Sequence, residues 1–286
     1  MRNPRRLLAP VVLAGLFALS GCGGSSDSSS SSPSAPEVSQ SDEAATTADA
    51  GALRFCTDPT YPPAEFKEGS DLNGFDIDIA RAISDEMGAE ATFTETGFDG
   101  IVAALEAGKC DALIAAMTIT PEREEAISFV PYAADGFALM VQAGNPEGFE
   151  AFTDLSGHSV AVQVGSVQKD FAEEQSEKLE TEGESGIEVI TFPKDTDAAA
   201  ALQSGRVDAY FADDAVTAYY VKQNGGLFEL TARGINKAPI GIGVRKDDAD
   251  TEKAITEAVD TLYADGTMDS IFKKWDIESF SIEGDK

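Results

Sequence analysis

The stretch Asp111–Arg123, DALIAAMTITPER, decides how this chain is read. Ala112 to Met117 is an unbroken apolar run whose length suits a buried strand, and it gives way at once to a helix start. Thr120 is a good N-cap, Pro121 suits the first helical position, and Glu122 sets a negative charge at the positive end of the helix dipole. A capping box would place Glu or Gln three residues after the cap. Arg123 stands there instead. A cation at that end is locally unfavourable unless an outside anion lies against it. A strand end, free amides, two threonine hydroxyls (Thr118 and Thr120) and a guanidinium together describe a carboxylate receptor. The alternative is a solvated arginine on a helix surface.

Working upstream, Leu53–Thr57 reads as a short strand running into DPTYPPAEF, where three prolines forbid helix and fix an irregular loop carrying Tyr61 and Phe66. NGFDIDIARAISDEMGA carries a helical apolar stripe ending at Gly88, Ala91–Glu95 is a strand, and Phe98–Ala107 is a helix closed by Gly108. Downstream, Ser128–Val141 is a long extended run from which one sheet could leave and another begin. Strands at Ser159–Val164, Ile187–Phe192 and Val207–Ala212 then alternate with helices at Gln168–Leu179, Asp195–Gln203 and Asp214–Lys222. NKAPIGIGV suggests a return crossing, and helices at Asp250–Ala264 and Met268–Trp275 finish the pattern. Such alternation argues an α/β chain with parallel strands. One unit is repeated: AALEAGKCDA at Ala103–Ala112 matches AALQSGRVDA at Ala200–Ala209, each a helix, a glycine stop, a basic residue and Asp-Ala opening a buried strand.

The N-terminus sets the compartment. Arg2, Arg5 and Arg6 precede an apolar run, Leu7–Leu19, and small residues, the layout of an export signal. The run is well short of the ~20 apolar residues of a membrane span. Leu19-Ser20-Gly21-Cys22 resembles a bacterial lipobox, which implies a signal peptide over 1–21 and lipid on Cys22. Residues 22–51 are Ser/Gly-rich and almost without apolar side chains, and are expected to be a disordered tether. Removing 1–21 takes away three arginines and no acid, leaving 18 basic against 51 acidic side chains, a net −33. That sign excludes nucleic-acid binding. Cys56 and Cys110 remain, in an oxidising compartment, as a disulfide or as two buried thiols, the disulfide being favoured. Their spacing fits no metal or redox motif, and the single histidine, His158, is expected to be an exposed loop residue. No cofactor or metal is expected.

The blocks TDPTYPPAEF, LNGFDIDIARAI, FDGIVAALEAGKCDALIAAMTITPER, LSGHSVAVQVGS, LQSGRVDAYFADDAVTAYYV, IGIGVRK and ADGTMDSIFKKW stand in the order in which they occur in amino-acid-type (family 3) solute-binding proteins of bacterial ABC importers, which the chain resembles over Leu53–Trp275. The resemblance implies a two-lobed, type II periplasmic-binding-protein-like α/β fold with two crossing strands as hinge, near Ala133–Phe137 and Asn236–Ile240. Lobe 1 would be 52–134 plus 240–286, and lobe 2 135–239. It further implies that Arg123 pairs with a ligand α-carboxylate, which Thr118 and the amides at Gly165-Ser166-Val167 also contact. Asp213 would take the α-ammonium, Ala116 would offer its carbonyl, Tyr61 and Phe98 would sandwich the side chain, and Asp58 would contact its far end. Departures are Ala64, where the family usually has a bulky aromatic and the pocket would be larger, Val167, and the neutral Gln163, where some relatives carry a cation.

The expected function is capture of an L-amino acid, polar or cationic favoured, by a lipid-anchored monomer outside the cytoplasmic membrane, with delivery to an ABC permease. The chain is not expected to be an enzyme. The alternatives are a sensing module for a membrane receptor and a small-acid dehydratase on the same scaffold, for which Glu65 is a spare acid near the cleft.

Overall fold

The structure, a computed structural model, describes residues 51–282. The signal, Cys22 and nearly all of the tether lie outside the described residues. Strand β1 (Ala52–Thr57) runs into the proline-rich segment, which is more ordered than its composition suggests. It forms a small antiparallel sheet of β2 (Thr60–Tyr61), β3 (Glu65–Glu68) and β4 (Asp71–Asn73). Pro62 and Pro63 fall in the turn between β2 and β3, where a missing N–H removes no ladder bond. Helix α1 (Phe75–Glu86) buries Phe75, Ile77, Ile79, Ala80 and Ile83, and the chain turns at Gly88 with φ +67°. Strand β5 (Glu90–Glu95) follows, then a 3-10 turn at Phe98–Gly100 leading into α2 (Ile101–Glu106).

Strand β6 is only Ala112–Leu113, although the whole apolar run to Met117 is buried. Ala116 adopts φ +42°, a left-handed conformation that cannot continue a strand. The chain then lies back so that Thr118 bridges to Ile240. Apolar length alone does not separate a buried strand from a buried irregular run. The helix start is as the sequence predicts: α3 (Pro121–Ala126) is capped by the Thr120 hydroxyl, which accepts the Arg123 N–H at 3.2 Å.

Strand β7 (Ile127–Gln142) does not end one sheet and begin another; it runs through a single sheet. Strand β8 (Ser159–Gln163), helix α4 (Val167–Thr181), strand β9 (Glu188–Phe192), helix α5 (Asp195–Gln203), strand β10 (Ala209–Asp213) and helix α6 (Asp214–Gln223) follow. The short β11 (Phe228–Leu230), the return strand β12 (Ile235–Arg245), α7 (Ala249–Ala264) and α8 (Thr267–Lys274) complete the chain. The sheet order is β5-β1-β6-β12-β7-β10-β8-β9, with β11 on β7. The parallel set β5-β1-β6 and the parallel set β10-β8-β9 are joined by antiparallel β7 and β12. This is the two-lobed α/β fold, with the crossing strands as its hinge. The β7–β12 ladder is irregular between Ile235 and Ala238 and again between Ile240 and Gly241, bracketing the crossing. Asn236 there has φ +49°, and Gly136 packs so closely on Gly234 that a Cβ would lie 3.0 Å from its Cα.

The internal repeat has a physical basis. After α2 and α5 the chain turns at Gly108 and Gly205, both with φ +69°. Asp111 and Asp208 then reach backbone amides near the starts of neighbouring strands: Asp111 accepts from Arg54 N at 3.0 Å, and Asp208 from Ser159 N at 2.8 Å. The pattern fixes where β6 and β10 dock. His158 is half-buried rather than exposed. Its ring sits edge-on to Phe149 and its Nδ1 lies 3.7 Å from Asp208, because the turn before β8 packs it under the loop.

Cys56 and Cys110 are joined by a disulfide, with Cα atoms 5.6 Å apart, inside an apolar cluster that includes Ile101, Leu105 and Leu113. The bridge closes a loop of sequence separation 54. Loop-closure entropy sets its contribution at roughly 4 kcal/mol. The Cys56→Ala/Cys110→Ala double variant is expected to lose about 2–4 kcal/mol of unfolding free energy, measured by denaturant titration against the oxidised protein.

Candidate functional site

The strand ends, the turn at Ala116 and the first turn of α4 converge on one cleft. It is small and nearly filled by its own lining of Tyr61, Phe98, Ala115, Ala116, Thr118, Arg123, Gln163, Ser166, Val167, Gln168 and Asp213. Nine of the ten residues expected from the sequence therefore line it, from both of its sides. The tenth, Asp58, does not line it. Asp58 sits behind Gln163, accepting Gln163 Nε2 at 2.8 Å, the Phe98 amide at 3.0 Å and the Thr60 hydroxyl at 3.1 Å. Its acceptors are engaged by the protein itself. Ala64 is buried away from the cleft, its carbonyl accepting from Asp76 N at 3.0 Å, so the small side chain does not enlarge the pocket.

Arg123 is half-buried and, among the described residues, forms no ion pair. Its Nη1 donates to the Thr118 carbonyl at 2.7 Å and its Nη2 to the Gly165 carbonyl at 3.1 Å, and the group lies over the Phe98 ring at 5.5 Å. Burial pulls its pKa below the ordinary value, with Asp170, Asp213 and Glu122 acting against that. A partly desolvated guanidinium that makes no ion pair is incompletely compensated, so this fork is suited to an anion. Ser166 caps α4: its hydroxyl accepts from Lys169 N at 3.2 Å and donates to the Gln163 carbonyl at 2.7 Å. The first amides of α4 have no intrahelical acceptor and lie at the same wall, adding partial positive charge.

Asp213 ends β10 and is 5% exposed. Gln168 Nε2 donates to its Oδ1 at 2.7 Å, and its backbone N–H donates to the Tyr61 hydroxyl at 3.1 Å. Burial raises the pKa of Asp213, and Asp135 on the crossing strand is raised with it, also by burial. Gln168 and Ala115 were not read from the sequence. Gln168 carried one signal, a polar residue in the first turn of α4 directly after Gly165-Ser166-Val167.

Hydrogen bonds cross the cleft between the half holding β1 and the half holding β8. Arg123 reaches Gly165 O, Gln163 reaches Asp58, Asp213 N reaches the Tyr61 hydroxyl, and Asp195 N reaches the Thr60 hydroxyl at 3.3 Å. The cleft is closed. Gly165, with φ +75°, makes the approach possible, since a Cβ would lie 3.2 Å from the Asp99 Cα.

A two-lobed periplasmic-binding-protein-like fold with a polar cleft between its sheets is a solute-binding architecture. The chain belongs to the bacterial extracellular solute-binding proteins, family 3, whose model matches residues 53–278. It is 31% identical over 245 residues to the histidine-binding periplasmic protein of Salmonella typhimurium (strain LT2), covering 82% of this chain and 91% of that protein. Among solved structures it is similar to an ancestral arginine-binding protein bound to arginine, with 38% identity, a TM-score of 0.74 and coverage of 79% and 98%. It is also similar to the ancestral amino acid-binding protein AncCDT-1, described as a precursor of cyclohexadienyl dehydratase, with 33% identity, a TM-score of 0.72 and coverage of 79% and 95%. Other relatives are described as amino-acid-binding proteins of ABC transporters.

Gly165→Val, which adds a branched side chain at positive φ against Asp99, is expected to hold the cleft open. X-ray scattering should give a larger radius of gyration than the unaltered protein shows when closed; equal radii under closing conditions would contradict it.

Proposed function

We propose that the cleft captures an L-amino acid as a zwitterion and that the closed form delivers it to an ABC permease. One observation carries this reading: a guanidinium that forms no ion pair among the described residues and a buried carboxylate, Asp213, line the same small pocket. The Arg123 fork takes the α-carboxylate, with Thr118 and the amides of Ser166 and Val167 completing its shell. Asp213, held by Gln168, takes the α-ammonium together with the Ala116 carbonyl. Tyr61 and Phe98 flank the side chain, and Gln163 faces its polar end with Asp58 behind. Asp58 thus acts through Gln163.

Among the described residues Arg123 is the one cation lining the pocket, so an acidic side chain would be desolvated without a partner. A polar or cationic amino acid is favoured, which agrees with the arginine-binding and histidine-binding relatives. The ligand bonds to both lobes and therefore favours closure. Lobe 1 is taken as 52–134 plus 240–286, and lobe 2 as 135–239. The export signal and the lipid on Cys22 would hold a monomer at the outer face of the cell membrane on the 22–51 tether.

Calorimetry with the common L-amino acids tests the proposal. Binding of at least one at micromolar affinity or tighter is expected; a folded protein that binds none would remove it. Arg123→Ala should weaken that binding by about 2–5 kcal/mol, because an α-carboxylate would be left buried and unpaired.

A further inference from the structure

Glu65, the first residue of β3, is 0% exposed, and among the described residues no N–H or O–H donates to either of its carboxyl oxygens. Its position is forced. The loop before it docks on the start of α1, where Phe75 N and Asp76 N donate to the carbonyls of Pro63 and Ala64 at 3.0 Å each. Gly74 permits this docking, since a Cβ there would collide with the Ala64 carbonyl. The Glu65 carboxyl is thereby brought within hydrogen-bonding reach of Asp76, which is also 0% exposed.

The two acids are not equivalent. Asp76 Oδ2 accepts the Ala116 amide at 2.6 Å and Oδ1 accepts the Tyr132 hydroxyl at 2.5 Å. It also lies in the first turn of α1, where the helix dipole favours a negative charge. Glu65 has none of these. Two buried carboxyl groups held this near to each other are not both ionised, so one proton is kept, and the donors around Asp76 assign it to Glu65.

We infer that Glu65 is a neutral carboxylic acid that donates to the Asp76 carboxylate, making it a positioning residue for the ligand pocket proposed above. Through Asp76 it holds Ala116 in its left-handed turn at the pocket wall and Tyr132 next to the crossing at Ala133. The surroundings agree. Asp76 on α1, Asp58 after β1 and Asp213 on β10 all bear on Glu65, and with burial they push its pKa well above the ordinary value. Tyr132 on β7 is raised by burial and by Asp76 and Glu65, while Asp76 itself stands at about 6.

The sign of the pH effect follows. Above the unfolded pKa of ~4.3, the folded state holds a proton that the unfolded chain releases. Stability is therefore lost as pH rises towards the folded pKa, by up to tenfold in the folding equilibrium per pH unit. Glu65→Gln keeps a neutral donor and removes this loss. Denaturant titrations between pH 5 and 8 should show the stability gap between Glu65→Gln and wild type widening with pH; a constant gap would overturn the inference. Infrared difference spectra of the two proteins at neutral pH should show the carbonyl stretch of a protonated acid in wild type alone, and its absence would equally overturn it.

With L-arginine as probe, Glu65→Gln should retain affinity within about threefold. Glu65→Ala, lacking the charge-assisted hydrogen bond, should lose about tenfold or more. A Glu65→Ala variant that binds like wild type would remove the positioning role. The infrared and pH measurements need no ligand, so a failed ligand screen would refute the amino-acid reading while leaving the proton assignment decided by them.

Discussion

Everything in this molecule hangs on one pair of strands. β7 and β12 run antiparallel and are shared by both halves of the sheet, so the two parallel sets can move relative to each other only by bending this ladder. The bend has prepared places: two register irregularities bracket the crossing, and a Cβ at Gly136 would press on the Gly234 backbone. Each hydrogen bond across the cleft is worth a net ~0.5–1.5 kcal/mol. A handful of them is comparable to the few kcal/mol that separate two hinge states, so a ligand bonded to both halves can decide the balance.

The interior is electrostatically lopsided. Among the described residues, Asp58, Glu65, Asp76, Asp111, Asp135, Asp195 and Asp213 are buried, whereas no lysine or arginine is. Several have their charge spread over donors: Asp195 takes the Tyr210 hydroxyl on both oxygens at 2.7 Å, and Asp111 takes Arg54. Burial raises the pKa of all of these buried acids except Asp111, and neighbouring acids add to the rise at Asp58, Glu65, Asp135, Asp195 and Asp213. Such a cluster lowers the cost of bringing in positive charge and raises that of bringing in negative charge beyond what Arg123 can pair. An α-amino acid with a neutral or cationic side chain fits that balance; a dicarboxylate does not.

The α/β alternation was legible because strands and helices carry different apolar periods, and the repeat was legible because both copies need the same glycine turn and the same aspartate. The helix start at Thr120 was read from local rules, and Arg123 from its breach of one of them. The boundary of β6 was hidden because nothing in LIAAM marks Ala116 as the residue that takes a left-handed turn. The small sheet at residues 60–73 was hidden because its prolines lie between the strands rather than within them. Asp58 was read as a ligand contact, whereas its place behind Gln163 depends on a contact 105 positions away. Glu65 and Asp76 gave no sign of partnership, since a helical stripe analysis counts an aspartate in the first turn as a solvated charge.

That last miss has a general cause. Local sequence rules assign acids to helix starts and surfaces because an isolated buried carboxylate is prohibitively costly. They do not see that the same helix start can be buried if a second acid arrives with a proton. Here the arrival is enforced by Gly74 and the carbonyls of Pro63 and Ala64, which are backbone features independent of charge. The acid cluster is therefore a consequence of how the proline loop docks on α1. The pocket wall at Ala116 inherits its geometry from that docking, since the Ala116 amide is held by Asp76. The strained turn that interrupts the apolar run of the opening stretch and the acids beneath it are two sides of one constraint, and Arg123 is placed by the chain that leaves it.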